Sequence, residues 1–296
     1  MTSQSFKHRI VRDLAWVIAS PPLISGIKDN INWLDHKKCT EEFNACLKTL
    51  IELDKNPTPL IVHIDALKSK RLGYRFEAFI SYWLQISPNF ELLAQNIQII
   101  ENKSTLGEVD FIIKDKHTLK VIHLEVAVKF YLGTEPFEDS FRWFGTNTQD
   151  QLGRKQQHLT NHQTQLSLKH PELLKFDIDE RYCLLKGRLF YPFGLNAPPK
   201  TVIDNHLRGR WIKQCDIQNK VSLRNKDLFQ LTKHEWLSEL YHQEINDKVA
   251  LENVYEADRA QCCIAVDRDE AGFYKETERV FILPDSFRFP DFYHEG

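Results

Sequence analysis

Gly107-Glu-Val-Asp110-Phe-Ile-Ile-Lys114 is followed after a polar turn by Val121-Ile-His123-Leu-Glu125-Val-Ala-Val-Lys129-Phe-Tyr-Leu132. Each run is apolar enough to be a strand, yet each carries charge. With a period of two, His123, Glu125, Ala127, Lys129 and Tyr131 share one face of the second run, while Ile122, Leu124, Val126, Val128, Phe130 and Leu132 share the other. Such a strand is either half-solvated or buried on both faces around a functional site. An unpaired buried carboxylate is too costly to keep without a partner or a metal ion.

An aspartate, a gap of about a strand and a turn, then a glutamate followed by a lysine is the arrangement that metal-dependent phosphodiester hydrolysis requires. Two carboxylates supply hard oxygen ligands for a divalent ion, and a lysine can orient or polarise water and stabilise charge on the phosphate. Asp110 and Glu125-Val-Ala-Val-Lys129 resemble the core of the PD-(D/E)XK nuclease superfamily. Further segments resemble one bacterial family placed within it, the domain-of-unknown-function family numbered 1853. They are Arg12-Asp-Leu-Ala-Trp16, Leu72-Gly-Tyr-Arg-Phe-Glu77, Gly107-Glu-Val-Asp-Phe111, His123 to Leu132, Lys186-Gly-Arg-Leu-Phe-Tyr-Pro192 and His206-Leu-Arg-Gly-Arg-Trp211.

The resemblance implies an α/β fold with a restriction-endonuclease-like mixed sheet flanked by helices. It implies Mg2+ or Mn2+ held by Asp110, Glu125 and the carbonyl of Val126, with DNA as the substrate. Lys129 would serve the water or the phosphate, and Glu77, on the first core helix, would assist. One position departs from the superfamily pattern, which puts its lysine two residues after the second acid, where this chain has Ala127. Lys129 lies on the same face one pleat further, roughly 6 to 7 Å along the strand. A second candidate lysine is Lys155, on the helix expected to follow, where Gln151 shares its face and related nucleases carry a polar residue near the phosphate.

The order of elements is consistent with that core. Helical spacing of Leu67, Phe76, Phe79, Ile80, Trp83 and Leu84 predicts a helix over residues 65–86, with Pro88 beyond its end. Strands are predicted from Phe90 to Glu101, Glu108 to Lys114 and Leu119 to Leu132, separated by the turns Asn102-Lys-Ser and Lys114-Asp-Lys-His. Asn147 or Thr148 is expected to cap a helix running to Lys169, with Leu152, Leu159 and Leu166 on one stripe. A fourth strand is expected from Arg181 to Tyr191. Residues 1–60 read as a mostly helical segment packed on a core of residues 61–195, with breaks at Pro21-Pro22 and Asn56-Pro57. Residues 196–296 read as a basic segment and a β-rich extension. In that extension a helix is expected from Lys233 to Ile245, followed by strand-like runs at Val249 to Tyr255, Gln261 to Val266 and Arg279 to Leu283, with a turn at Asp267 to Gly272.

A chain of 296 residues, 42% hydrophobic and 11% aromatic, can bury a core of its own. Charged residues interrupt the N-terminus, so no signal peptide is read there, and no apolar run is long enough to span a bilayer. Six cysteines fall in no CxxC or zinc-like spacing. They read as reduced thiols, which points to a cytoplasmic protein.

The net charge is −2, but it is unevenly spread. Arg181 to Lys233 holds eleven Lys and Arg against three Asp, whereas Glu235 to Gly296 holds six against fifteen Asp and Glu. The basic stretch offers Arg208, Arg210 and Lys213 around Trp211 as phosphate and base contacts, with Lys155 as a further nucleic-acid contact. The structural alternative pairs these arginines with the acidic tail. His158 and His162 stand four apart on a helix, but no third ligand accompanies them, so a solvated or hydrogen-bonded pair is expected. Two further functional readings remain beside the nuclease. One is a catalytically inactive nucleic-acid-binding or protein-interaction module, which the Ala127 departure favours. The other is a structural role in which Glu125, Lys129 and Asp110 pair among themselves.

Overall fold

The computed structural model describes residues 5–28, 31–224, 226–248 and 258–290. They form two compact α/β units. The first comprises residues 1–129, 154–187 and 201–206, and the second residues 130–153, 188–200 and 207–296. The divisions at residues 129/130 and 187/188 fall inside strands.

The first unit opens with helix α1 (Arg9–Ala19), a short hairpin of β1 (Gly26–Lys28) and β2 (Ile31–Trp33), and helices α2 (His36–Lys55), α3 (Thr58–Asp65) and α4 (Leu72–Ile86). The N-terminal segment is thus helical as expected, with the hairpin added. The helix expected over residues 65–86 begins only at Leu72. Lys68-Ser-Lys-Arg71 has no apolar side chain to hold a helical face, and the segment forms a loop. Beyond Leu72 the stripe holds, since Phe76, Phe79, Ile80, Trp83 and Leu84 are all buried.

Strands β3 (Phe90–Glu101), β4 (Ser104–Asp115), β5 (Val121–Gly133) and β7 (Glu180–Pro192) lie in that order, and the first residues of β7 pair in parallel with β2. β3 and β4 are antiparallel, and β4 pairs with β5 over Phe111↔Leu124 to Lys114↔Val121. These strands match the sequence reading to within a few residues. A Cβ on Gly187 of β7 would stand 1.7 Å from the Lys129 carbonyl oxygen, and its φ of +145° also excludes most side chains.

The expected helix over residues 147–169 is shorter and interrupted. Thr148 has a left-handed φ, and Asn147 accepts from the Asp150 backbone, so this stretch is a turn. Helix α5 (Leu152–His158) leads into a π-turn at Leu159–Gln163 and then into α6 (Leu166–Lys169). The leucine stripe survives, with Leu152, Leu159 and Leu166 buried. α6 packs on β4, where Ile99, Val109, Ile112, Leu166 and Leu174 form one apolar cluster. A Cβ on Gly107 would lie 2.7 Å from Leu166 Cδ1, so this close approach requires glycine. The buried Lys186 ammonium donates to the carbonyls of Ile18 (2.8 Å) and Ser20 (2.6 Å), satisfying the C-terminal end of α1.

In the second unit, β6 (Trp143–Phe144) pairs with the end of β5, and the last residues of β7 pair in parallel with β8 (Leu207–Lys213). β8 is followed across the sheet by β11 (Tyr274–Leu283), β10 (Gln261–Arg268) and β9 (Asp227–Gln230), with α7 (Val221–Arg224) and α8 (His242–Asn246) beside them. Two of the three expected C-terminal strands and their turn are present. Val249 to Tyr255 lies outside the described residues.

The helix expected from Lys233 to Ile245 does not form. A 3-10 turn at Lys233–Glu235 and α8 take its place. The physical reason is Arg279, fully buried on β11. Its guanidinium is held by Glu276 and donates to the carbonyls of Trp236, Leu237 and Ser238. Carbonyls turned toward a guanidinium are not available for an i to i+4 ladder. Among the described residues no helix is long and apolar enough to cross a membrane, and the six cysteines are free.

Candidate active site

The β4–β5 ladder stops at Phe111↔Leu124, and the next residues toward the open end are Asp110 and Glu125. There the strands exchange side-chain contacts in place of backbone ones. The Asp110 backbone N–H donates to Glu125 Oε1 at 3.3 Å, and the Val126 backbone N–H donates to Asp110 Oδ2 at 2.9 Å. Each carboxylate thus satisfies an amide of the opposite strand, and the two carboxyl groups also share a hydrogen bond.

Glu125 is wholly buried and engaged on both oxygens. His123 Nε2 lies 2.6 Å from Oε1, and Gln163 Nε2 donates to Oε2 at 2.7 Å. Burial lowers the His123 pKa to about 4, so its ring is neutral near pH 7. Its Nδ1 lies 2.7 Å from Ser167 Oγ, which accepts from Arg181 Nε at 3.0 Å, so both ring nitrogens are engaged. Ser167 and Gln163 come from the turn and helix that follow α5, which therefore cover the face of β5 carrying the charges. Ile122 and Leu124, on the other face, line a separate cavity of about 410 Å3 with Trp33, Trp83 and Phe90. None of the candidate acids lines it.

Burial, then the neighbouring Glu125, pushes the Asp110 pKa up to about 8, and burial pushes Glu125 up to about 8. Glu77 of α4 is half-buried, and burial together with Asp110 and Glu108 raises it to about 7. The structure therefore brings Glu77, Asp110 and Glu125 into one electrostatic group. Like charges crowded out of water favour a cation or a proton. Hard oxygen donors of this kind suit a divalent ion such as Mg2+ or Mn2+. Among the described residues three ligand atoms come within 4.8 Å of one another only at Glu101, His170 and Glu172, where both glutamates are exposed. Asp110 and Glu125 thus offer two carboxylates to an ion and belong to no cluster of three side-chain ligands among the described residues.

The lysine whose charge acts on Glu77, Asp110 and Glu125 is Lys155 of α5. Its Nζ donates to Gln163 Oε1 at 2.9 Å, so Gln163 links the ammonium to Glu125. Lys129 is half-buried on β5, on the strand face expected of it, but is not among the leading charges on any of the three acids. Gln151, expected beside Lys155, is buried and donates to the Phe141 carbonyl at 3.3 Å within the second unit. His158 and His162, expected as a solvated or hydrogen-bonded pair, stack ring on ring at 4.9 Å.

Arg208, Arg210 and Trp211 of the basic segment are engaged by neighbouring protein groups. On β8, Arg208 donates to the Asn196 carbonyl at 2.8 Å and lies over the Tyr191 ring, while Arg210 pairs with Glu278 at 3.3 Å and donates to the Leu195 carbonyl at 2.6 Å. Trp211 donates to the Gly133 carbonyl at 2.9 Å. The Arg210–Glu278 pair is the one the structural alternative describes, Glu278 belonging to the acidic tail, whereas the Arg208 contacts with Asn196 and Tyr191 lie outside that tail. Lys213 sits half-buried at the end of β8 with its charge acting on Asp285.

Sequence reasoning did not assign roles to His123, Gln163 or Ser167. His123 could have been found, since it shares the face of Glu125 two residues earlier. Gln163 gave no signal, because a π-turn adds a residue to the helix and changes which side chain reaches the sheet.

A family model described as Domain of unknown function (DUF1853) matches residues 12–283. No curated protein and no solved structure matches the chain.

Proposed function

The chain belongs to the DUF1853 family, and we propose that it is a nuclease of restriction-endonuclease-like, PD-(D/E)XK type that hydrolyses phosphodiester bonds of DNA with Mg2+ or Mn2+. One observation carries the reading: Asp110 and Glu125 sit where β4 and β5 part, each seated on a backbone N–H of the other strand. Strand geometry there holds two hard-oxygen donors at one point without relying on a flexible loop. In the same proposal Asp110, Glu125 and the Val126 carbonyl hold the ion, and reduced cysteines are consistent with a cytoplasmic protein.

A divalent cation bound there would supply positive charge against the phosphodiester and acidify water. The remaining work falls to the chain. His123 and Gln163 fix the two oxygens of Glu125, so its orientation is set before substrate arrives. Lys155, anchored on Gln163, would place an ammonium against developing negative charge, taking the part that the sequence pattern gives to a strand lysine. Glu77, with its pKa near neutrality, would take a proton from water.

The second reading, a catalytically inactive module with the same fold, is favoured by the engagement of both Glu125 oxygens and by Ala127. Calorimetry with Mg2+ and Mn2+ should give a heat in the wild type that is lost in Asp110→Asn and Glu125→Gln. Incubation with supercoiled, linear duplex and single-stranded DNA should then give cleavage that both substitutions abolish. Metal binding without cleavage of any of these substrates would select the inactive module. Equal heats in all three proteins would remove the site altogether.

A further inference from the structure

Arg208 and Arg210 are committed to neighbouring protein groups, whereas the unit that carries the acids exposes Lys68, Lys70 and Arg71. A cavity of about 330 Å3 lies between α3, α4 and the first two sheet strands, and Glu77 is part of its wall. That volume suits a single nucleoside-sized ligand. Gln95 and Asn96 form another side. Asn96 stands between the pairs Gln95↔Phe111 and Ile97↔Val109, and so opposite Asp110, in a left-handed conformation with φ of 53° that asparagine tolerates better than most residues. Of the three acids Glu77 lines the cavity, and Asp110 lies across the ladder from Asn96.

Its other end is basic. Leu67 and Tyr74 line both this cavity and an adjoining hollow formed by Lys68, Lys70 and Arg71. All three cations are exposed, and among the described residues none of them is held in an ion pair. Tyr74 is 49% exposed, so one large aromatic face stands at the junction. Gln95 accepts from Ser81 Oγ at 2.7 Å through its carbonyl, which leaves its NH2 group to donate elsewhere. Cations outside, an aromatic ring at the entrance, amide groups inside and an acidic centre beyond form an ordered series. It matches phosphate, base face, base edge and scissile bond.

We propose that this cavity is the subsite for one unpaired nucleotide of a single-stranded DNA, with phosphates on Lys68, Lys70 and Arg71 and its base against Tyr74 and the Gln95–Asn96 amides. The inference rests on the nuclease reading for its direction, and it names the substrate form. A base within a duplex has its face stacked and its edge paired, and it enters a one-nucleotide cavity only after unpairing.

The test is anisotropy of a short labelled oligothymidylate, and of its duplex with oligoadenylate, in EDTA over a range of salt. Wild type should prefer the single strand. K68A/K70A/R71A should weaken binding and flatten the dependence of log K on log salt by about 2, as expected for three lost phosphate contacts on a single strand. Tyr74→Ala should lose on the order of 10-fold in affinity, and Tyr74→Phe should restore it. Circular dichroism and urea midpoints keep a folding defect apart from a binding one, and Tyr74→Phe retains the ring in any case.

An unchanged salt slope in the triple variant, or a wild type that binds no single strand, overturns the subsite. Single-strand binding that these variants weaken, in a protein that cleaves nothing with Mg2+ or Mn2+, upholds the subsite and rejects the nuclease. Cleavage by wild type and triple variant alike, with equal single-strand affinity, does the reverse.

Discussion

Replacing Asp110 by asparagine should make the protein more stable, and the gain should grow as pH rises toward 8. Asp110 and Glu125 both have folded-state pKa values of about 8, raised by burial and, for Asp110, by its neighbour, against ordinary values of 3.8 and 4.5. An acid with a raised folded pKa keeps a proton that the unfolded chain has released. Stability therefore falls as pH rises from the unfolded to the folded value. His123 acts with the opposite slope. Its folded pKa, about 4, is below its ordinary value of 6.5, so between those values the unfolded chain binds the extra proton and stability rises with pH. The two terms oppose one another up to about pH 6.5, and above it the acid term stands alone. The Asp110 proton alone, over about 1.5 pH units at 1.36 kcal/mol per unit, gives a fall of roughly 2 kcal/mol between pH 6.5 and 8. Asparagine keeps an acceptor for the Val126 N–H and removes that proton. Urea unfolding in EDTA at pH 6.5 and 8, followed by circular dichroism, should show a wild-type midpoint that falls relative to the variant by an amount worth about 2 kcal/mol. Saturating Mg2+ at about 100 times its Kd should then return about 2.7 kcal/mol to the wild type and nothing to the variant. Parallel pH curves for the two proteins would refute the crowding of these acids, and equal stabilisation by Mg2+ would place the ion elsewhere.

In single-turnover cleavage, Lys155→Ala should lower the rate on the order of 10² while Lys129→Ala changes it little, as expected for loss of one electrostatic group; the opposite order would return the chemistry to the strand. Arg210→Ala should lower stability by about 1 kcal/mol through the lost Glu278 pair and carbonyl contact. Its DNA affinity should keep the wild-type salt slope, whereas a slope flattened by about one unit would mark a phosphate contact. Arg279→Met should lower the urea midpoint by the equivalent of about 3 to 5 kcal/mol, because Glu276 would be left buried without its partner. A loss below about 1 kcal/mol would mean that the Trp236 to Ser238 segment holds its shape without the guanidinium.

What could be read from the residues was whatever local period decides. Alternation along Val121 to Leu132 put His123 and Glu125 on one face, and the structure finds Ser167 and Gln163 over that face and an apolar cavity against Ile122 and Leu124. Charge content overstates the basic surface for a physical reason. Lys186 is consumed by the carbonyls ending α1, Arg188 by the carbonyl of Arg208, and Arg208 and Arg210 by other backbone oxygens, so a segment basic in sequence presents much less basic surface. Lys68, Lys70 and Arg71 are only three charges in a short loop, yet they remain exposed. A guanidinium with several fixed donors organises backbone in a way that no window around residues 233–245 could reveal, since Arg279 is more than thirty residues away.

The displaced lysine follows from the same distinction between local and distant constraints. Ala127 and Lys129 are ordered by strand alternation, and from that order alone Lys129 is the natural successor to a missing lysine. Reach along β5 fixes the interval between Lys129 and Glu125, however, and both residues are tied to one backbone. Lys155 has no such tie. The π-turn places Gln163 beside Glu125, Gln163 in turn holds the Lys155 ammonium, and the charge arrives at the acids through a contact made in space. A Gln163→Leu substitution separates the two explanations. It leaves the β5 interval untouched but removes the link, so it should lower cleavage about as far as Lys155→Ala does, and the double substitution should add little, as expected for groups acting as a unit. Full additivity of the two losses would show that Lys155 reaches the acids without Gln163.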